Sequence, residues 1–192
     1  MNHTPEIKKA LQFAARKHDG QIRVTSGEKS LPYVTHLFSA ALLVAEDGAS
    51  DGIVIATLLH DTLEDTDTTR AEIAEAFGES VAELVEAVSE PKEKEGKKLD
   101  WKERKIAYLE NIAHASDGGL LISIADKIDN IESKLEEYAK EGVTLLRHWK
   151  QPNSEYLWFH GEVLRLAQKQ LPEHPLTQRL AQVHTKEKEV FG

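Results

Sequence analysis

The sequence predicts an all-α fold, a single domain over residues 1–192 built as a bundle of about eight to ten helices. Apolar residues recur at helical spacing along almost the whole chain, and no segment shows sustained alternation. At 192 residues the chain has the length of one domain and can bury a substantial core without cross-links.

The elements follow in order. Thr4 as N-cap and Pro5 at the first helical position open a helix that stops near Gly20. The loop QIRVTSGEKSL comes next, and Pro32 and Tyr33 open a second helix carrying His36. Asp51 caps a third, in which Ile53, Val54, Ile55, Ala56, Leu58 and Leu59 are apolar on nearly every side, as in a helix at the centre of a domain. It runs on into HDTLED, His60 to Asp65. Thr69 with Glu72 is a capping-box pattern for a short helix to Phe77, stopped by Gly78. A helix around Ser80–Ser89 precedes EPKEKEGKKL, Glu90 to Leu99, a loop of low apolar content. Asp100 with Glu103 starts another helix, and Asp117 a long one that carries Asp126. Beyond Gly142 the pattern gives a short helix near Leu145–Lys150, one from about Ser154 to Gln170, and a terminal one after Pro175.

Composition narrows the function. There are no cysteines, so thiolate metal sites, thiol nucleophiles and disulfides are excluded together. The N-terminus has neither a signal-peptide apolar region nor a membrane span, which sets the expectation of a soluble cytoplasmic protein with no membrane partner. A net charge of −9 argues against general nucleic-acid binding, which needs a basic face. A small polyanion is still admissible, because a metal and a few basic residues can dominate the local field. Lys92, Lys94, Lys97, Lys98, Lys102, Arg104 and Lys105 crowd one segment, interleaved with acids; a solvated charged surface is the plain alternative.

The chemistry centres on HDTLED. Carboxylates that close a buried helix carry a large desolvation cost unless something neutralises them. If the helix is continuous, His60, Asp61 and Glu64 share a face with Asp65 at its edge. His36 lies beside the apolar Leu37, Ala40, Ala41 and Leu43, and Asp126 interrupts the run Leu120, Leu121, Ile122, Ile124 and Ala125. Three mostly buried helices thus each present a potential ligand. His36, His60, Asp61 and Asp126 supply two nitrogens and at least two oxygens, a set that suits Mn²⁺, Fe²⁺ or Co²⁺ and also admits Zn²⁺. Each has a structural alternative: a hydrogen-bonded core histidine for His36, a buried partner of Lys127 for Asp126, a solvated helix end for Glu64 and Asp65. The combination points to a metal site.

In this order, His36, His60-Asp61 and Asp126 resemble the HD-domain metal phosphohydrolases. FAARKHDGQ, PYVTH, LLHDTLEDTDTT, FGESVAELVEAVS and IADKIDN are similar to the hydrolase domain of RelA/SpoT proteins and the small alarmone hydrolases. The resemblance runs from about Phe13 to Asn130, with a weaker echo around Tyr156. It implies an HD-type helical bundle, a divalent ion (usually Mn²⁺) on His36, His60, Asp61 and Asp126, and a catalytic pair in Glu64 and Asp65. Arg23 matches a basic residue that contacts the nucleotide, and Asn130 a polar one in the same pocket. Lys29, Lys92 and the Lys97–Lys105 segment with Arg104 are candidates for the far phosphates, and Tyr156 for the pocket wall. The implied reaction releases pyrophosphate from the 3′ position of (p)ppGpp or (p)ppApp by attack of a metal-activated water. Other HD nucleotide chemistry, an NADPH phosphatase or a 5′-deoxynucleotidase, stands beside it, as does a non-catalytic alarmone-binding module. Val24 after Arg23, the long TSGEKSL loop and Leu37 after His36 depart from the family pattern. They leave the choice between guanine and adenine open.

Overall fold

Side-chain caps mark where half of the described helices begin. The Thr4 hydroxyl accepts from Ile7 N–H at 3.3 Å, and Thr69/Glu72 and Asp100/Glu103 both form complete capping boxes. A computed structural model describes residues 4–23, 31–94, 96–142 and 150–192 of the chain. The elements are α1 (Pro5–Lys17), β1 (Ile22–Arg23), β2 (Leu31–Pro32), α2 (Val34–Glu46), α3 (Asp51–Leu59), α4 (Thr62–Asp65), α5 (Arg70–Phe77), α6 (Glu79–Ala87), β3 (Glu93–Lys94), β4 (Lys97–Lys98), α7 (Trp101–His114), α8 (Asp117–Glu141), α9 (Asn153–Gln170) and α10 (Pro175–Phe191). The all-α expectation is met.

Two local differences stand out. The segments expected as plain loops close into two-residue antiparallel ladders: Ile22 pairs with Pro32 and Arg23 with Leu31, while Glu93 pairs with Lys98 and Lys94 with Lys97. Pro32 therefore lies in a strand, and α2 starts two residues later. The third helix is not continuous through HDTLED; it stops at Leu59 and restarts at Thr62. Most of the expected helix near Leu145–Lys150, along with Val24 and Lys29, lies outside the described residues.

The long helix α8 is the axis of the molecule. It packs against α2, α3, α6, α7, α9 and α10, and Leu120, Ile122, Ile124, Ile128 and Ile131 are fully buried. Each such side chain contributes about 1.5–3 kcal/mol on burial. Gly118 permits close approach at its N-terminus, since a Cβ there would sit 3.2 Å from Ile53 Cδ1 and 3.3 Å from Leu84 Cδ2. Gly78 makes the α5–α6 turn at φ 94°, a conformation only glycine adopts without strain. No helix among the described residues is long and apolar enough to cross a membrane.

The terminal helix is tied down by a buried polar network as well as by Leu176, Leu180 and Val183. Glu187, with no exposed surface, accepts from His160 Nδ1 at 2.9 Å and His184 Nδ1 at 3.0 Å, and pairs with Lys134 Nζ at 3.4 Å. Burial pushes its carboxyl up, but the two imidazole donors and Lys134 outweigh it and hold the group well below the usual carboxylate range. A folded pKa below the unfolded value means stability that is present above the unfolded pKa and lost as pH falls below it. Glu187→Ala should cost about 3–5 kcal/mol in urea unfolding at pH 7, because it leaves the Lys134 ammonium and two buried imidazole N–H donors unmatched. That difference should shrink below about pH 4; equal differences at pH 7 and pH 3 would contradict the network's role.

Candidate metal centre and active site

The break in the third helix is caused by its own side chains. His60 Nδ1 donates to the Thr57 carbonyl at 2.7 Å, while His60 N–H reaches the same oxygen only at 3.5 Å. The Thr62 hydroxyl takes the Leu59 carbonyl at 2.6 Å, and the ladder resumes when Glu64 and Asp65 N–H bond to Asp61 O at 3.2 and 2.9 Å. His60 and Asp61 thus sit at a junction, not on the continuous helical face expected from their spacing.

A backbone carbonyl only accepts, so the Thr57 contact keeps a proton on His60 Nδ1, and in the neutral imidazole that a cation would bind the lone pair is on Nε2. His36 Nδ1 likewise donates to Asp129 Oδ2 at 2.6 Å. The two Nε2 atoms then face two carboxylates. His36 Nε2 lies 3.2 Å from Asp126 Oδ1 and 3.7 Å from Asp61 Oδ2; His60 Nε2 lies 3.3 Å from Asp61 Oδ2 and 3.8 Å from Asp126 Oδ1. His36, His60 and Asp126 are buried, with ligand atoms within 4.8 Å of one another. Asp61 joins them from the side, its Oδ2 also accepting from the Tyr33 hydroxyl at 2.6 Å.

This cluster draws positive charge. Burial opposes protonation of His60, yet Asp61 and Asp126 push it up to about 9, and His36 is raised by Asp126 and Asp129. Against burial, Lys127 and the two imidazoles hold Asp126 well below its ordinary value. His60 Nε2 is buried with no hydrogen-bond partner. Two imidazole nitrogens and two carboxylate oxygens, oriented from behind by Thr57, Asp129 and Tyr33, fit a divalent cation. The pairing of Asp126 with Lys127 is also present, but the ammonium takes Oδ2 and leaves Oδ1 toward the cluster.

Glu64 and Asp65 differ although adjacent. Glu64 is half-buried, and desolvation with the Asp61 charge pushes its carboxyl up to about 8. Its Oε1 accepts from Glu90 N–H at 2.7 Å. Asp65 is exposed and raised by the same two causes, against the opposing charges of Lys92 and His18. The solvated-end alternative therefore describes Asp65 better than Glu64.

Beside the cluster lies a cavity of about 330 Å³ lined by Arg23, Lys105, Lys127, Lys134, Asn130 and the rings of Trp101, Tyr156 and Phe159, among others. Asn130 Nδ2 donates to Asp126, so the cavity and the metal cluster share a wall. Of the expected substrate residues, Arg23, Asn130 and Tyr156 line it. Lys92 and Arg104 stand outside its lining: the Lys92 ammonium donates to the Glu64 carbonyl, and Arg104 Nε lies 3.1 Å from Glu90 Oε1. Lys105, from the Lys97–Lys105 segment expected at the phosphates, also lines the cavity, whereas sequence reasoning missed Lys127, Lys134 and Asp129. Asp129 had a signal, falling three residues after Asp126 on the same helical face. His18, His160 and His184 are buried and hydrogen-bonded outside the cluster.

The family model for the HD domain matches residues 10–148. A guanosine-3′,5′-bis(diphosphate) 3′-pyrophosphohydrolase from Aquifex aeolicus is 44% identical over 72% of this chain; the chain spans only 20% of that relative's length. The human guanosine-3′,5′-bis(diphosphate) 3′-pyrophosphohydrolase MESH1 is 41% identical over 66% of this chain and 68% of its own. Its Xenopus tropicalis counterpart is 36% identical over 83% of each. A solved structure described as a metazoan ortholog of SpoT that hydrolyses ppGpp superposes with a TM-score of 0.79 at 27% identity, covering 97% of both chains. A crystal structure of lmo0812 from Listeria monocytogenes gives 0.71 at 27% identity, covering 79% of this chain and 97% of that one. The chain belongs to the HD-domain family, alongside these pyrophosphohydrolases.

A cation that binds only the folded cluster stabilises by mass action. Mn²⁺ or Co²⁺ at about 100 times its dissociation constant should raise unfolding stability by about 2.7 kcal/mol. Asp126→Ala should abolish the increment; a metal-induced melting shift that survives in that variant would place the ion elsewhere.

Proposed function

We propose that this HD-domain protein is a metal-dependent 3′-pyrophosphohydrolase of nucleotide alarmones, acting in the cytoplasm as one hydrolase domain over residues 1–192. The supporting observation is the juxtaposition of an electron-rich His36, His60, Asp61 and Asp126 cluster with a cationic, aromatic-lined cavity on the far side of Asn130. The relatives named for this activity act on the guanosine compound, which supports (p)ppGpp as the substrate class; the adenosine analogue is proposed beside it. Mn²⁺ is the ion proposed for the site, since a nitrogen and oxygen ligand set without thiolate suits it.

When bound, such an ion draws charge from a phosphoryl oxygen and makes water more acidic. The chain's own residues do the rest. Glu64, whose carboxyl burial and the Asp61 charge push up to about 8, can orient the attacking water, accept its proton and return one to the departing 3′ oxygen. Asp65, exposed at the rim, assists as the outer carboxylate. Glu90 N–H and the Lys92 ammonium hold the Glu64 carboxylate and carbonyl, so the general base stays aimed. Arg23, Lys105, Lys127 and Lys134 present positive charge to the phosphates, and Trp101 and Tyr156, edge-to-face with centroids 5.7 Å apart, offer apolar surface to a base. Phosphoryl transfer asks mainly for positioning and charge stabilisation, so no covalent nucleophile is required.

Purified protein with Mn²⁺ should release stoichiometric pyrophosphate from guanosine or adenosine tetraphosphate. No release from either, with turnover of NADPH or a deoxynucleotide instead, would reassign the substrate. Glu64→Ala should lower kcat by about 10²–10⁴-fold with nucleotide binding retained. Unchanged turnover would remove Glu64 from the mechanism.

A further inference from the structure

Asp129 lies three residues beyond Asp126 on α8, buried, and one of its oxygens serves two donors. Oδ2 accepts from His36 Nδ1 at 2.6 Å and from Arg23 Nη1 at 2.6 Å. The other arm of the same guanidinium, Nη2, donates to Asn130 Oδ1 at 3.0 Å, and Asn130 in turn donates to Asp126. Asp126, Asp129 and Asn130 share one face of α8 at i, i+3 and i+4. Arg23 arrives from β1, across the whole domain in sequence. It is therefore one residue removed from two ligands, His36 and Asp126, that stand on different helices.

We propose that Asp129 is a positioning residue, a clamp whose Oδ2 turns His36 Nε2 toward the metal centre and pins Arg23 to the cavity wall. The proposal rests on the metal-centre reading above. The geometry has two consequences. A carboxylate behind the imidazole fixes its tautomer and makes the ligating nitrogen more basic, and loss of such a partner typically lowers metal affinity 10–100-fold. The guanidinium fork is divided between Asp129 and Asn130, so its orientation toward an incoming phosphate is set before the nucleotide arrives. One side chain thereby serves both the ion and the anion.

The test is a Co²⁺ titration followed by absorption, with a competing chelator, on full-length wild type and three variants. Asp129→Ala should bind Co²⁺ about 10–100-fold more weakly. Asp129→Asn keeps a neutral acceptor for His36 Nδ1–H, so it should fall between wild type and Asp129→Ala. Arg23→Ala, which touches no ligand, should hold Co²⁺ within about threefold of wild type. With the ion saturating, Asp129→Ala should raise KM more than it lowers kcat, because Arg23 has lost its anchor. Circular dichroism and the melting temperature of the ion-free protein report folding; if Asp129→Ala does not fold, Asp129→Asn decides the matter with the same sign. Wild-type Co²⁺ affinity in a folded Asp129 variant overturns the clamp. Wild type that takes up one Co²⁺ yet releases no pyrophosphate overturns the proposed activity and leaves the clamp standing. Wild type that takes up none overturns both.

Discussion

The interior of this protein contains a concentration of electron pairs that draws positive charge to one point. Two imidazole nitrogens and two carboxylate oxygens from α2, the α3–α4 junction and α8 approach within a few ångströms, where removal from water makes like polarity costly. Much of the surrounding architecture serves to keep them there. Ile122, Ile124 and Ile128 bury α8 on the sides around Asp126, and Leu58 and Leu59 do the same for the helix that delivers His60. The groups behind the ligands are mostly hydrogen-bond donors or carbonyls: Tyr33 on Asp61, Asn130 and Lys127 on Asp126, the Thr57 carbonyl under His60. They orient the inner atoms toward one another.

An acidic chain that takes a polyanion needs its charges separated in space. The net charge is −9, but Arg23, Lys105, Lys127 and Lys134 converge on one cavity. Acids hold several of these cations in place. Glu90 receives both Lys105 and Arg104, and its backbone N–H in turn supports Glu64. Lys134 reaches Glu187, so the residue that faces the cavity also fastens α10. The segment carrying β3 and β4 is anchored at its base to Glu64, through the Glu90 N–H and the Lys92 ammonium.

How much of this was legible in the residues depends on range. Thr69, Asp100 and Pro175 mark helix starts because capping acts within three or four residues, and each start is found as read. The continuity of the third helix was misread because His60 and Thr62 compete through their side chains for carbonyls that periodicity assigns to the ladder, and apolar spacing carries no record of that competition. Lys92 and Arg104 looked equal to Lys105 as phosphate contacts, since all three sit in one basic run. Only packing of α7 against α9 turns Lys105 inward, toward Phe159 and Trp101, and leaves Arg104 on Glu90.

By itself the residue string determined the helical class, the positions of most caps, and the chemical identity of the four candidate ligands and two carboxylates. Those follow from local propensity and from the rarity of ionisable groups in apolar helices. Only the tertiary structure decided that His36, 93 residues from Asp129, and Arg23, 106 residues from it, meet on one carboxylate oxygen. Such a meeting depends on how α2, α8 and a two-residue strand pack together. Helix and strand signals extend over a few residues along the chain, whereas that junction is set by distances across the fold.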